Sequence, residues 1–213
     1  MAATATRPAR FAGWPVVGWC ALILIVLMTT LVAVFGTNER GIRVVIRSSA
    51  QTSLVLFLSA FSASALSLLW PTPLTRWMLR NRRYLGVSFA VSHFIHLLAI
   101  IALVRVAPDV TIGATTLVGG GLAYVFIAAM TATSFDVTAD WLGRRAWTRL
   151  HTAGAYYIWF IFFISYAPRA AMQSILYAPF AFVLLAALGL RFGARGRRRS
   201  ITVPVRTTSG VCR

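Results

Sequence analysis

Six stretches of this chain run for 19 residues or more without a charged side chain: 11–38, 48–75, 84–104, 110–135, 150–168 and 170–190. About 20 apolar residues in a helix span the ~30 Å hydrocarbon core of a bilayer. Backbone polar groups in lipid must be satisfied within the segment, which leaves helices as the economical solution. Soluble domains carry about 25% charged residues, whereas this chain carries 12%. A soluble helical bundle would also show amphipathic helices, and these runs are apolar all round. The expected fold class is therefore all-α, a six-helix transmembrane bundle with spans near 14–36, 50–71, 84–106, 112–134, 148–167 and 173–191. The first run is longer than a secretory signal core and has no clear cleavage site after it, so it reads as a retained helix.

All 21 basic residues are arginine, and four acids oppose them, for a net charge of +17. In a soluble protein such a charge would point to nucleic acid; between membrane spans it reports orientation. With the N-terminus in the cytoplasm, 16 arginines fall on inner segments and five (Arg40, Arg43, Arg47, Arg105 and Arg169) on outer ones. The positive-inside rule then places both termini in the cytoplasm. Residues 1–13 form a cytoplasmic N-terminal segment, and 192–213 an Arg-rich cytoplasmic tail expected to be disordered. The expected setting is a bacterial-type inner (plasma) membrane, crossed several times. The lipid bilayer is the first partner and nucleic acid is not one. Segment 37–49 reads as the longest outer loop, lying on the membrane surface. Pro71 and Pro73 mark a helix stop. Cys20 and Cys212 have no metal-type spacing and read as inert.

Three histidines, and no acids, lie in the apolar runs. An intramembrane imidazole is costly without a partner and signals a functional site. His93 and His96 are three residues apart and share a helix face. The helices carrying these two and His151 both rise from arginine clusters, so they run parallel. At 1.5 Å per residue, His93 lies about 15 Å beyond Arg83, His96 about 20 Å, and His151 about 9 Å beyond Arg145. Neutral imidazole is a haem ligand, and a haem between two helices takes one histidine from each. The reading is haem-iron ligation by His151 with either His96 or His93, the latter slightly closer in depth. Hydrogen-bonded packing is the alternative for any buried histidine. A proton relay is another, but Glu39, Asp109, Asp136 and Asp140 all fall in loops, and zinc would want thiolate or carboxylate company. Gly119, Gly120 and Gly121 fit close helix packing, with accommodation of a flat porphyrin as the second use.

Two short signatures carry a family likeness. The first is Arg82-Arg83-Tyr84-Leu85-Gly86 followed ten residues later by His96; the second is Thr133-Ser134, then Leu142-Gly143, then Trp147-x-x-Leu150-His151. Over roughly residues 50–190 the chain resembles the ferric reductase-like transmembrane domain family. That family includes NADPH oxidases, ferric reductases and the haem-binding membrane subunit of the bacterial periplasmic methionine sulfoxide reductase system. The resemblance implies a six-helix ferric reductase-like membrane domain over 14–191, holding b-type haem and passing electrons from a cytoplasmic donor to an outer-face acceptor. Two positions depart from the pattern. The family's second histidine, thirteen residues after the one matched by His151, is Ile164 here, and a first-helix histidine of two-haem members is Arg82. Both usual haem pairs are thus half empty. One haem b is expected from the re-paired histidines, and a second lacks its ligands.

The expected function is membrane electron transfer. Electrons would come from quinol or a separate flavin reductase, since no nucleotide-binding motif is present, and pass to an outer-face acceptor protein. Arg144, Arg145 and Arg149 offer a docking face for an acidic donor. The alternative is a degenerate family member, an assembly or interaction subunit without redox function. A transporter is weaker, because no pair of broken helices occurs in matching halves.

Overall fold

The computed structural model describes residues 12–172 and 174–202. Among them there are no strands. The chain forms α1 (Trp14–Phe35), α2 (Glu39–Leu69), α3 (Pro73–Arg80), α4 (Arg82–Val106), α5 (Ala114–Ala132), α6 (Asp136–Leu142), α7 (Arg144–Met172), a 3-10 turn (Ile175–Tyr177) and α8 (Ala178–Thr202). Five are long and apolar enough to cross a membrane: α1, α2, α4, α5 and the stretch Ile175–Arg197. The protein is thus a helical, multi-pass membrane protein by length and composition. The fifth expected span lies inside α7. That helix falls short on hydropathy although residues 150–168 carry no charge, because His151, Thr152, Tyr156, Tyr157, Trp159, Ser165 and Tyr166 dilute the apolar residues of that run.

Several boundaries differ from expectation, each for a local reason. Residues 39–49 are not a surface loop but the first three turns of α2. Asn38 caps them, its side chain accepting from the Gly41 N–H at 2.9 Å. The exposed Glu39–Arg43 pair, one turn apart, adds a few tenths of a kcal/mol, about 0.3–0.5. The preceding turn is tight: Gly36 has φ +78°, and a Cβ on Gly41 would run into the Gly36 carbonyl oxygen. The prolines after α2 do end it, but Pro73 also opens α3, where Thr72 and Thr75 form a reciprocal capping box. Short α6 was likewise unexpected. The tail is not irregular from residue 192 onward, because α8 continues to Thr202. Residues 1–11 of the N-terminal segment and 203–213 of the tail lie outside the described residues.

α2 and α4 form the centre. Their seam is made of small side chains: Ser49, Ser53, Ser88, Ser92 and Ala63 are fully buried and Ala90 nearly so. Small residues let two backbones approach closely, the main source of helix association in lipid. α1 packs against both on one flank through Met28, Val45 and Ala99. On the other side α5, α7 and α8 close a ring, since α4 touches α5, α5 touches α7, α7 touches α8 and α8 touches α2. The aromatic centre of that ring is Phe57, Phe61, Phe89 and Phe162.

Contacts at the ends set the helix directions. The Gly13 N–H donates to the Asn81 side chain, Trp14 stacks on Phe135, Arg83 pairs with Asp136 at 2.6 Å, and Arg191 donates to the Phe61 carbonyl. The starts of α1, α4 and α7 therefore meet the ends of α2, α5 and α8 at one arginine-rich end.

Candidate functional site

A cavity of about 500 Å³ opens at this arginine-rich end among α2, α3, α4, α5, α7 and α8. Small-molecule and cofactor pockets fall at roughly 300–1,000 Å³. Phe57, Phe61, Phe89, Ile127 and Ile158 supply apolar walls, and Arg80, Arg82, Arg83 and Arg191 supply positive charge. Gly86 lines it too. A Cβ built there meets nothing within 4 Å, so any side chain would project into open space.

His151 is the histidine in this wall. Its ring lies parallel to Trp147, centroids 4.0 Å apart at 22°, and Trp147 Nε1 donates to the Thr133 carbonyl at 2.9 Å. His151 Nε2 is 3.0 Å from Thr133 Oγ1. That hydroxyl has a single proton, which goes to the Ala129 carbonyl at 2.8 Å. With that proton on the carbonyl, Thr133 accepts from Nε2–H in the tautomer that leaves the free lone pair on Nδ1. A ligating histidine usually donates its other ring N–H to an orienting partner, and Thr133 stands where such a partner would.

His93 and His96 lie elsewhere. Neither lines the cavity. Their rings sit 5.3 Å apart, as the three-residue spacing predicts. Ser49 Oγ lies 3.0 Å from the Ile46 carbonyl and 2.9 Å from His96 Nδ1; with its proton on the carbonyl it accepts from Nδ1–H in the tautomer that leaves the lone pair on Nε2. His93 is ringed by Phe89, Tyr124 and Phe162 at 5.0–5.7 Å between centroids. Its Nδ1 is buried without a hydrogen-bond partner. Leaving such an atom unsatisfied costs about 1–3 kcal/mol. Phe89 touches both places, packing on His93 and lining the cavity. Counted from the helix starts, His151 is seven residues in and His93 eleven, a difference in depth of about 6 Å. The structure thus brings His93 and His96 together and sets His151 in the cavity wall. Among the described residues no group of three or more His, Cys, Asp or Glu side chains converges as a metal site.

The two departing positions are also placed. Ile164 is 46% exposed, on the outer face of α7. Ser165 bonds its own helix, and Tyr166, buried in the core, stacks on Phe162 and Phe180; neither lines the cavity. Arg82 turns its guanidinium to the Ala60 carbonyl at 3.1 Å and Ser64 Oγ at 3.3 Å, and lines the cavity. The three glycines of α5 do not line it. Gly119 accepts from the Tyr157 hydroxyl and lies against Ile161, which is helix packing.

Sequence reasoning passed over Phe89, Tyr124 and Ser49. Phe89, His93 and His96 follow an i, i+4, i+7 stripe that was readable as one helix face. The Tyr124 hydroxyl, which donates to the His93 carbonyl at 3.1 Å, had no local signal. Compared with known proteins, the chain matches no family model, no curated protein and no solved structure.

Proposed function

We propose that this protein is a b-type haem electron-transfer protein of an inner (plasma) membrane, with six spans and both termini in the cytoplasm. α7 is the sixth span in this reading. It packs between α5 and α8, each apolar enough to cross, and its core-facing Gly154, Ala155, Ile158 and Phe162 are buried.

The observation that carries the reading is the cavity. It joins one oriented imidazole, flat apolar walls, an open glycine face and a rim of guanidiniums. That donor set fits a porphyrin. His151 would ligate, with Thr133 and Trp147 fixing its tautomer and plane. The aromatic walls would exclude water, and Arg80, Arg82, Arg83 and Arg191 would meet anionic substituents. Haem held there supplies a one-electron iron couple. His93, with its unpartnered nitrogen, and His96 are the proposed second ligands, and since neither lines the cavity, Phe89 would have to move aside for either to reach the iron. The resemblance to the ferric reductase-like family extends the reading to the electron path. A quinol or separate flavin reductase donates from the inner face, where Arg144, Arg145 and Arg149 are exposed, and an outer-face protein accepts.

One observation favours a second reading. The cavity wall holds a single histidine, and His96 and His151 each have a hydroxyl partner without any metal. This suits a non-redox bundle serving as an assembly or interaction subunit. Absorbance of the purified protein, oxidised and dithionite-reduced, decides between the two. The haem reading expects a Soret band, lost in His151→Ala. A change of iron spin state in His93→Ala or His96→Ala would then identify the second ligand. Protein expressed with added haem that shows no Soret band overturns the reading in favour of the second.

A further inference from the structure

A smaller cleft of about 210 Å³ lies on the other side of Arg82 and Arg191. Phe61, Ser64 and Ala65 of α2, Arg82 of α4, and Arg191, Ala194 and Arg195 of α8 line it. Three guanidiniums therefore face one space. Arg191 lies over Phe61 and Tyr156, with its guanidinium carbon 4.2 Å and 5.0 Å from the ring centres, and Arg195 lies over Tyr156 at 5.5 Å. Aromatic faces and backbone carbonyls hold the cations in place without neutralising them. Among the described residues no carboxylate lies within ion-pair distance of any of the three; the ion pairs are Arg43–Glu39 and Arg83–Asp136. Each guanidinium has five N–H donors. Arg82 spends two groups on Ala60 and Ser64, and Arg191 one on Phe61.

We infer that this cleft is a seat for the phosphate of an anionic phospholipid, held by Arg82, Arg191 and Arg195. Three like charges in one cleft call for a counter-anion, and the forked donors of arginine suit phosphate oxygens. The position argues for a lipid rather than an acidic protein. Arg191 and Arg195 are one turn apart and still within the apolar stretch Ile175–Arg197. The exposed side chains Phe182, Leu185 and Phe192 form a strip along α8 that runs up to Arg195, offering a path for acyl chains beneath the headgroup. Basic pockets between spans at the cytoplasmic surface are known to take such headgroups.

This inference does not rest on haem. Arg82 and Arg191 also line the larger cavity, so the test uses Arg195, which does not. The full chain is purified with mixed micelles of phosphatidylglycerol and phosphatidylcholine of matched acyl chains, and retained lipid is read by native mass spectrometry. The expected result is selective retention of phosphatidylglycerol, about fivefold weaker in Arg195→Met, which keeps the apolar stem, and preserved in Arg195→Lys. Retention by the wild type should also fall as sodium chloride rises, a readout independent of any variant's folding. A third arm adds inorganic phosphate alone. Equal retention of the two lipids, or no salt dependence, or an unchanged Arg195→Met, overturns the inference. Inorganic phosphate raising the melting temperature as much as phosphatidylglycerol also overturns it, by assigning the seat to the free ion.

Discussion

At the scale of single residues, two of the three histidines are organised by a hydroxyl already committed elsewhere. Ser49 gives its proton to Ile46 and Thr133 gives its proton to Ala129, so each can only accept from its imidazole. Each bond then favours the tautomer that frees the opposite nitrogen. Ser49→Ala tests this directly. It removes the hydroxyl that meets His96 Nδ1, and interhelical hydrogen bonds in membrane proteins are worth about 0.6 kcal/mol and at most about 1.7. The variant should lose stability by that modest amount in a chemical unfolding titration in micelles. A loss indistinguishable from zero would mean the contact does not form. The histidines themselves were legible in the sequence because an imidazole in an apolar run has few innocent explanations. Their partners were not. Ser49 lay in a stretch read as loop, and Tyr124 reaches His93 from a helix 31 residues away, a pairing that depends on how α5 packs against α4.

At the scale of helices, apolar length predicted where the long elements lie, and polar detail decided where they end. α4 and α5 begin and end within a few residues of expectation, since their runs are bounded by charge or by loop residues on both sides. α2 starts eleven residues early because an Asn cap and a Glu–Arg pair can extend a helix beyond the lipid. α3 and α6 are too short to show as apolar periods. α8 passes into its arginines because arginine is a good helix former. α7 is the element on which length and hydropathy disagree. If it crosses the membrane, its flanks face opposite sides. In a Cys20→Ser, Cys212→Ser background, Met172→Cys at the last residue of α7 and Val137→Cys in α6 before its start occupy positions 85% and 82% exposed. A membrane-impermeant thiol reagent applied to intact cells should label Met172→Cys, and should reach Val137→Cys only after the cells are opened. Labelling of both from the same side would leave five spans and remove α7 from the bilayer.

For the molecule as a whole, the governing asymmetry is charge. The starts of α1, α4 and α7 and the ends of α2, α5 and α8 gather at one end, which carries both cavities and the arginines around them. Two acids, Asp136 and Asp140, stand near it in sequence, and one of them is paired with Arg83. The opposite end carries Arg40, Arg43, Arg47, Arg105 and Arg169, one of these paired with Glu39. Lys and Arg near span ends resist transfer across the membrane, so the proposed topology keeps the richer end in the cytoplasm. The helix directions derived from contacts then place every odd crossing, counting α7, outward from that side. Fusions test the arrangement. Green fluorescent protein joined after Thr202 should fluoresce and alkaline phosphatase at the same point should be inactive. Alkaline phosphatase joined after Asp109, between α4 and α5, should be active. The reverse pattern would put the larger cavity on the outer face, where a cytoplasmic electron donor could not reach it, and would reverse the proposed direction of electron flow even if haem were present. Replacing Arg144, Arg145 and Arg149 with glutamine should weaken the bias toward the expected pattern without inverting it, since the other inner arginines still outnumber the five outer ones.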